Sequence, residues 1–184
     1  MNFLNVLIGM VSLGGFVFAN PSFYEYSTFD EACKSVFKAP KSKTISIQLD
    51  DREKNIIESK LSMELLSTEI DIHLFSNEST LEGYAMVIDQ LGKHYPMTVF
   101  VAINPDLTVK DVVLMIYRED YGQKVRKRRF LRQFLGKTIE DPIQVNNDIT
   151  SLSGATISSY SIATGVKRVL LKLHTLKDKI QSMN

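Results

Sequence analysis

A short segment near the C-terminus, SGATISS at residues 153–159, combines the smallest residues with hydroxyl groups directly before an amphipathic stretch. Gly154 and Ala155 permit a sharp backbone turn and the close approach of a bulky ligand. The first turn of a helix offers unpaired backbone N–H groups and a partial positive charge, which together bind phosphate. The segment therefore predicts that the hydroxyl of Thr156 lies beside a phosphate pocket.

A helix cap is the second interpretation of the same residues. Ser and Thr are favoured at the starts of helices, and a cap formed by Ser158 or Ser159 would stabilise the protein by about 1 kcal/mol. Residue spacing does not separate a cap from a phosphate pocket, and it does not identify a ligand. Both interpretations remain open from these residues alone.

Strand-like runs occupy the middle of the chain, at residues 81–91, 97–103 and 109–117. The segments between them are short and contain Gly, Asn and Pro, which is typical of an antiparallel meander. Alternation of apolar and polar residues predicts two further strands, at 44–49 and 70–75.

Helical patterns flank these runs. They predict helices from the capping box at Thr28 to about Lys38, across 50–65, across the basic segment 125–135 up to Gly136, and from about Ser158 onward. The last helix has one apolar face, formed by Ile162, Val166, Val169, Leu170 and Leu173. The sequence thus predicts one α+β domain, an antiparallel meander sheet with packed helices.

Composition excludes several classes of protein. A chain of 184 residues with 44% hydrophobic and 23% charged residues is typical of a single packed domain. Cys33 is the sole cysteine, so an intramolecular disulfide and a cysteine-built zinc site are impossible. The three histidines lack metal-ligand spacing, and a net charge of +1 does not indicate nucleic acid binding. We predict no metal site.

The first nineteen residues form an apolar run that ends in small residues at Ala19. This pattern predicts a secretory signal peptide at 1–19, with an uncleaved membrane anchor as the alternative. The folded domain is then 20–184. We expect an exported protein, in the periplasm or on the outer face of the cytoplasmic membrane.

The motif at 153–159 resembles the flavinylation motif of the FMN-binding domain family. That family occurs in subunits of the sodium-pumping NADH:quinone reductase, in the Rnf-type electron-transport complex and in exported flavoproteins. The similarity extends over about residues 28–175, and includes the segments 81–84, 92–94, 99–106 and 117–122.

The resemblance implies a cofactor, FMN, joined through a phosphoester bond to Thr156 by an FAD-dependent flavin transferase. It also implies that the cofactor-binding residues are Ser153, Gly154, Ala155, Ser158 and Ser159. One departure concerns Thr150, which stands where the family usually has an Asp, while Asp148 lies two residues further back. Modification by the transferase is therefore expected to be less efficient.

Three further residues are candidates by analogy with flavin sites in general. Arg118 or Arg126 would stabilise reduced flavin, and His94 would approach its ring system. The alternatives are a solvated basic surface for the arginines and a turn residue for His94.

The leading functional hypothesis is an exported electron carrier that exchanges electrons with membrane or extracytoplasmic redox partners. One alternative is a flavin-dependent extracytoplasmic reductase. The other is a non-redox binding module in which residues 153–156 only cap a helix. No catalytic residue of the chain itself is predicted.

Overall fold

The computed structural model describes residues 24–38, 41–61, 64–65, 67–77 and 80–183. The predicted signal segment at 1–19 lies outside these residues. None of the helices in these ranges combines the length and the apolar character that a membrane span requires.

A single antiparallel sheet organises the described part of the chain. Its six strands are β1 (Tyr24–Glu25), β2 (Lys41–Gln48), β3 (Glu69–Asn77), β4 (Thr80–Leu91), β5 (Pro96–Ile103) and β6 (Val109–Tyr117). They lie in the order β1-β6-β5-β4-β3-β2, so that each strand from β2 to β6 pairs with the next along the chain. The predicted meander is confirmed. The two-residue β1, which was not predicted, pairs with the end of β6.

Both faces of the sheet are covered, and β5 shows this most directly. Val99, Val101 and Ile103 belong to the larger hydrophobic core, while Phe100 and Ala102 belong to a smaller one on the opposite face. Successive residues of a strand point to opposite faces, so a strand between two cores is apolar throughout. This explains why 97–103 is a continuous apolar run.

The described residues also form five α-helices: α1 (Phe29–Val36), α2 (Asp51–Leu61), α3 (Arg128–Leu131), α4 (Thr156–Thr175) and α5 (Lys177–Ser182). The predicted capping box begins α1, with the Thr28 hydroxyl accepting from the Glu31 N–H and the Glu31 carboxylate accepting from the Thr28 N–H. Helix α1 packs on the smaller core and α4 on the larger. The α+β prediction is therefore confirmed.

The apolar face predicted for the last helix is buried throughout. Gly165 lies on the same helix, and a Cβ atom there would be 2.7 Å from Gln90 Cγ and 2.9 Å from Ile88 Cδ1. The absence of a side chain lets α4 lie close against β4. This close contact and the buried face together hold the helix, and hence its N-terminus, against the sheet.

The prediction of a continuous basic helix at 125–135 is wrong. The chain instead forms a 3₁₀ turn (Gln123–Arg126), the single turn α3 and a second 3₁₀ turn (Arg132–Phe134), interrupted by extended backbone at Lys127. On an unbroken helix Val125 would point roughly opposite Phe130 and Leu131. The break at Lys127 allows all three to be buried. Gly136, with a φ of 75°, ends the segment where a stop was predicted.

Candidate cofactor site

The N-terminus of α4 forms the core of the site. Gly154 has a φ of 75°, a backbone conformation that favours glycine. A Cβ atom at this position would meet no atom within 4 Å, so the backbone and not crowding explains the glycine. Ala155 is the residue before the helix, and Thr156 is its first residue, two positions earlier than predicted. The Thr156 side chain is exposed. Among the described residues its hydroxyl has no hydrogen-bond partner.

The serines that follow do not cap the helix, which has no side-chain cap at all. Ser158 is buried, with its hydroxyl 2.9 Å from Tyr117 Oη. Ser159 is also buried, and its hydroxyl donates to the Ala155 carbonyl (2.8 Å) and accepts from the Leu152 N–H (3.3 Å). The interpretation of these serines as caps is therefore wrong. The Ser158 hydroxyl joins α4 to β6, and the Ser159 hydroxyl joins α4 to the turn that precedes the helix. Because both hydroxyls have hydrogen-bond partners, both serines can be buried in the first turns of α4.

A cleft of about 210 Å³ opens beside Thr156. One wall is the start of α4 and the turn before it, the second is the end of β6 and the residues after it, and the third is a lysine from the β4–β5 turn. These lining residues are Gly154, Ala155, Thr156, Ile157, Ser158, Tyr117, Glu119, Tyr121, Gly122 and Lys93.

Gly122 lines the cleft beside Tyr117 and Ser158. Its φ of 96° lies in the region that favours glycine, and a Cβ atom here would overlap Tyr117 Oη and lie 3.0 Å from Ser158 Oγ. Tyr117 Oη also donates to the Tyr121 carbonyl at 2.6 Å. The glycine thus permits the hydrogen-bonded contact between β6 and α4 that holds the two main walls together.

Glu119 positions the third wall. Its side chain is buried, and Oε1 accepts from the backbone N–H groups of His94 (2.5 Å) and Tyr95 (3.0 Å). A carboxylate that accepts two backbone N–H groups holds a turn firmly. The turn it holds carries Lys93, whose side chain lines the cleft.

The three candidates named by analogy do not line the cleft. Arg118 donates to the Pro96 carbonyl (2.9 Å) and to Thr98 Oγ1 (3.1 Å). The Arg126 guanidinium lies 4.8 Å from the centre of the Tyr26 ring. His94 contributes its backbone N–H to the contact with Glu119.

Six lining residues were not predicted as site residues: Lys93, Tyr117, Glu119, Tyr121, Gly122 and Ile157. Ile157 lies within the motif at 153–159, and the other five lie in the segments 92–94 and 117–122, whose resemblance to the family was the available signal. The residues at 93 and 117–122 are distant from Thr156 in sequence, and no helix or strand period relates their positions to it.

Asp148 has a structural position in the loop before the cleft. Its carboxylate accepts from Lys137 Nζ (2.7 Å), the Ile143 N–H (3.1 Å) and the Gln144 N–H (2.8 Å). Partial burial opposes ionisation, but these hydrogen bonds outweigh it and lower the pKa of Asp148 from 3.8 to about 2. Thr150, where the family usually has an Asp, is held through its backbone by the Gln133 amide.

We expect Asp148→Asn to destabilise the protein by about 1 kcal/mol at neutral pH, with solvent screening allowed for. The pKa of Asp148 is lower in the folded state than in the unfolded state, so its contribution is complete above about pH 4. It is then lost as the pH falls towards about 2. Urea titrations at pH 7, 4 and 2 check this. The difference in free energy of unfolding between wild type and variant should shrink as the pH falls. A difference that stays constant would contradict the stabilising role of ionised Asp148.

Residues 92–171 match the family model of the FMN-binding domain. The predicted resemblance is confirmed over this segment. Every residue that lines the cleft lies within it. The matched segment therefore contains the whole cleft, including Thr156.

The solved structure of NqrC from Shewanella oneidensis has the same fold as this chain. The two align with a TM-score of 0.56 and 16% sequence identity, covering 85% of this chain and 90% of NqrC. Because 85% of the chain is covered, this likeness extends beyond the matched segment 92–171. No curated protein sequence matches the chain significantly.

Proposed function

We propose that this protein is an exported electron carrier whose FMN is joined by a phosphoester bond to Thr156. The observation that carries the proposal is the exposed hydroxyl of Thr156, which has no partner among the described residues. It lies in the first turn of α4, inside a cleft formed by the segment that matches the FMN-binding domain. Bound FMN would supply the redox chemistry, since flavins exchange one or two electrons.

The charges around Thr156 suit a phosphate group. Within the described ranges, no side chain accepts from the first-turn N–H groups of α4, and the helix dipole places partial positive charge at the same point. Lys93 adds a full positive charge from the opposite wall. A phosphoester on the Thr156 oxygen would lie between these two sources of positive charge.

The mouth of the cleft suits a planar ring system. Tyr121 is 87% exposed and Ile157 is 49% exposed, and both line the cleft. Large exposed apolar side chains beside a polar pocket are typical of ligand sites. We propose that they cover part of the isoalloxazine and leave one edge open to solvent, which an electron carrier requires.

Replacement of Lys93 should weaken FMN binding. We expect Lys93→Met, made in a Thr156→Val background that binds FMN only non-covalently, to raise the Kd for FMN about two- to fivefold, as for an exposed ion pair. Fluorescence quenching of FMN on titration with protein measures the Kd. Lys124→Met is the matched control, because Lys124 is exposed and does not line the cleft. Equal effects of the two substitutions would remove Lys93 from the site.

The partner proteins follow from this proposal. An FAD-dependent flavin transferase would modify Thr156, and membrane or extracytoplasmic redox proteins would exchange electrons with the carrier. The apolar segment that precedes Ala19 supports export. N-terminal sequencing of protein recovered outside the cytoplasm should begin after Ala19 if the segment is cleaved.

The proposal is tested by producing the protein together with a flavin transferase and measuring its intact mass. We expect an addition equal to one FMN less one water, with flavin fluorescence retained after denaturation. A mass without this addition would contradict covalent attachment. Turnover with small acceptors, compared with electron exchange with a membrane fraction, then separates a carrier from a reductase.

A further inference from the structure

Positive charge is concentrated in the segment that begins with the cleft residues Tyr121 and Gly122 and follows β6 along the chain. Residues 121–139 contain seven Lys and Arg and no Asp or Glu, so with a net charge of +1 for the whole chain the other residues carry a net charge of −6. Such asymmetry creates a strong local field that a near-neutral total charge conceals.

The structure displays most of these cations on the surface. Six are exposed, and we call them the basic surface: Lys124, Arg126, Lys127, Arg128, Arg129 and Arg132. Within the described part of the chain, Arg128 pairs with Asp111, and the other five form no ion pair with a carboxylate. The basic surface therefore repels itself, and an acidic partner would relieve that repulsion.

The apolar residues between Lys124 and Phe134 point inward, whereas Tyr121 and Leu135, outside that stretch, are exposed. Val125, Phe130, Leu131 and Phe134 are buried in the larger core. A segment that binds a bilayer places its large apolar side chains outward, so that they enter the acyl region. Here those side chains anchor the turns to the protein, and the cations are held on a folded support. This arrangement favours a protein partner over a lipid surface.

The basic surface adjoins the cleft. Tyr121 and Gly122 line the cleft, and Gly122 directly precedes the 3₁₀ turn that carries Lys124. Two residues of chain span at most about 7 Å, so a partner bound at Lys124 would lie at the cleft mouth. Tyr121, which lines the cleft and is exposed, precedes Lys124 by three residues.

We propose that the basic surface is the docking site for an electron-transfer protein with an acidic surface around its own redox centre. The inference rests on the proposed function and adds the chemistry of the partner. Charge complementarity of this kind accelerates the encounter and orients the partner, and its effect falls as salt rises. The partner would thus be guided to the open edge of the cofactor.

The probes are two haem proteins, the soluble domain of an acidic b-type cytochrome and a basic c-type cytochrome. Stopped-flow mixing of the reduced flavoprotein with each ferric cytochrome gives the rate constant of electron transfer against ionic strength. Two ferric haems are reduced for each reduced FMN that is oxidised, and two protons are released. We expect the rate with the acidic cytochrome to fall as salt rises.

Charge variants decide whether the basic surface is responsible. Replacing Lys124, Lys127 and Arg129 by Gln should lower the rate with the acidic cytochrome about tenfold at low salt and flatten its salt dependence. Replacing them by Glu should also accelerate exchange with the basic cytochrome. The matched control replaces three exposed cations elsewhere, Lys34, Arg52 and Lys177, by Gln. If both Gln variants give the same rate and salt dependence, the inference is overturned.

Two further measurements separate this inference from the proposed function. NMR titration of the Thr156→Val protein with the acidic cytochrome reports docking without attached flavin. Docking that is lost in the Gln variant supports the surface even if no phosphoester forms, whereas docking that is unchanged overturns it.

Co-sedimentation with vesicles of one part phosphatidylglycerol to three parts phosphatidylcholine tests the membrane alternative. Strong binding that needs the same three cations would overturn docking of a protein.

Discussion

Thr156→Val protein, produced together with a flavin transferase, is expected to carry no covalent FMN, whereas the wild-type protein gains the mass of one FMN less one water. Valine has nearly the shape of threonine but has no hydroxyl to form the ester. Because Thr156 is exposed and its hydroxyl has no partner among the described residues, we expect the stability to change by less than about 0.5 kcal/mol. Loss of flavin would then report chemistry and not unfolding.

Thr150→Val is the matched control for this experiment. Thr150 is also exposed, lies in the same loop, and is held through its backbone by Gln133. The control should retain the flavin, and fragmentation of the wild-type peptide should place the added mass on Thr156. Flavin that persists on the Thr156→Val protein, or a fragment that assigns the mass to Ser153, would overturn the assignment.

Gly122→Ala is expected to have the largest effect on stability. A Cβ atom at Gly122 would overlap Tyr117 Oη and crowd Ser158 Oγ, and the φ of 96° is unfavourable for alanine. Backbone strain and overpacking together should cost about 3 kcal/mol. For a chain of this size that lowers Tm by roughly 6–12 °C, which a thermal melt followed by circular dichroism measures.

Gly136→Ala separates the two causes. Gly136 has a φ of 75°, but a Cβ atom there would meet nothing within 4 Å, so only backbone strain applies. We expect a cost of about 1 kcal/mol and a fall in Tm of roughly 2–4 °C. The Gly122 variant should also lose FMN binding, because the walls of the cleft separate, while the Gly136 variant retains it. Equal losses of stability would show that the contact with Tyr117 and Ser158 contributes nothing.

Local patterns predicted the sheet and most of the helices. Breakers between 91 and 97 and between 103 and 109 delimit strands whatever surrounds them, because the conformations they favour are properties of Gly, Asn and Pro. The capping box at Thr28 and the buried face of α4 are equally local, since each depends on residues within a few turns of one helix. These predictions are confirmed for that reason.

The predictions that were wrong depended on contacts between distant residues. The break at Lys127 occurs because Val125 and Phe130 must both reach the larger core. The start of α4 at Thr156 depends on partners for two buried serines, one of them Tyr117, 41 positions away from Ser158. The pattern of apolar and polar residues within one segment does not reveal a hydrogen-bond partner in a distant segment.

The residue expected to hold the cofactor, Thr156, and the small turn before it were apparent from the order of residues, because a hydroxyl beside Gly and Ala is a local property. The rest of the cleft was not. Glu119 lies 25 residues from His94, and the bond between them exists because β6 lies beside β5 in the sheet. Side chains from β6, the β4–β5 turn and α4 converge only when the sheet and α4 pack together, since that packing brings distant segments within hydrogen-bond distance.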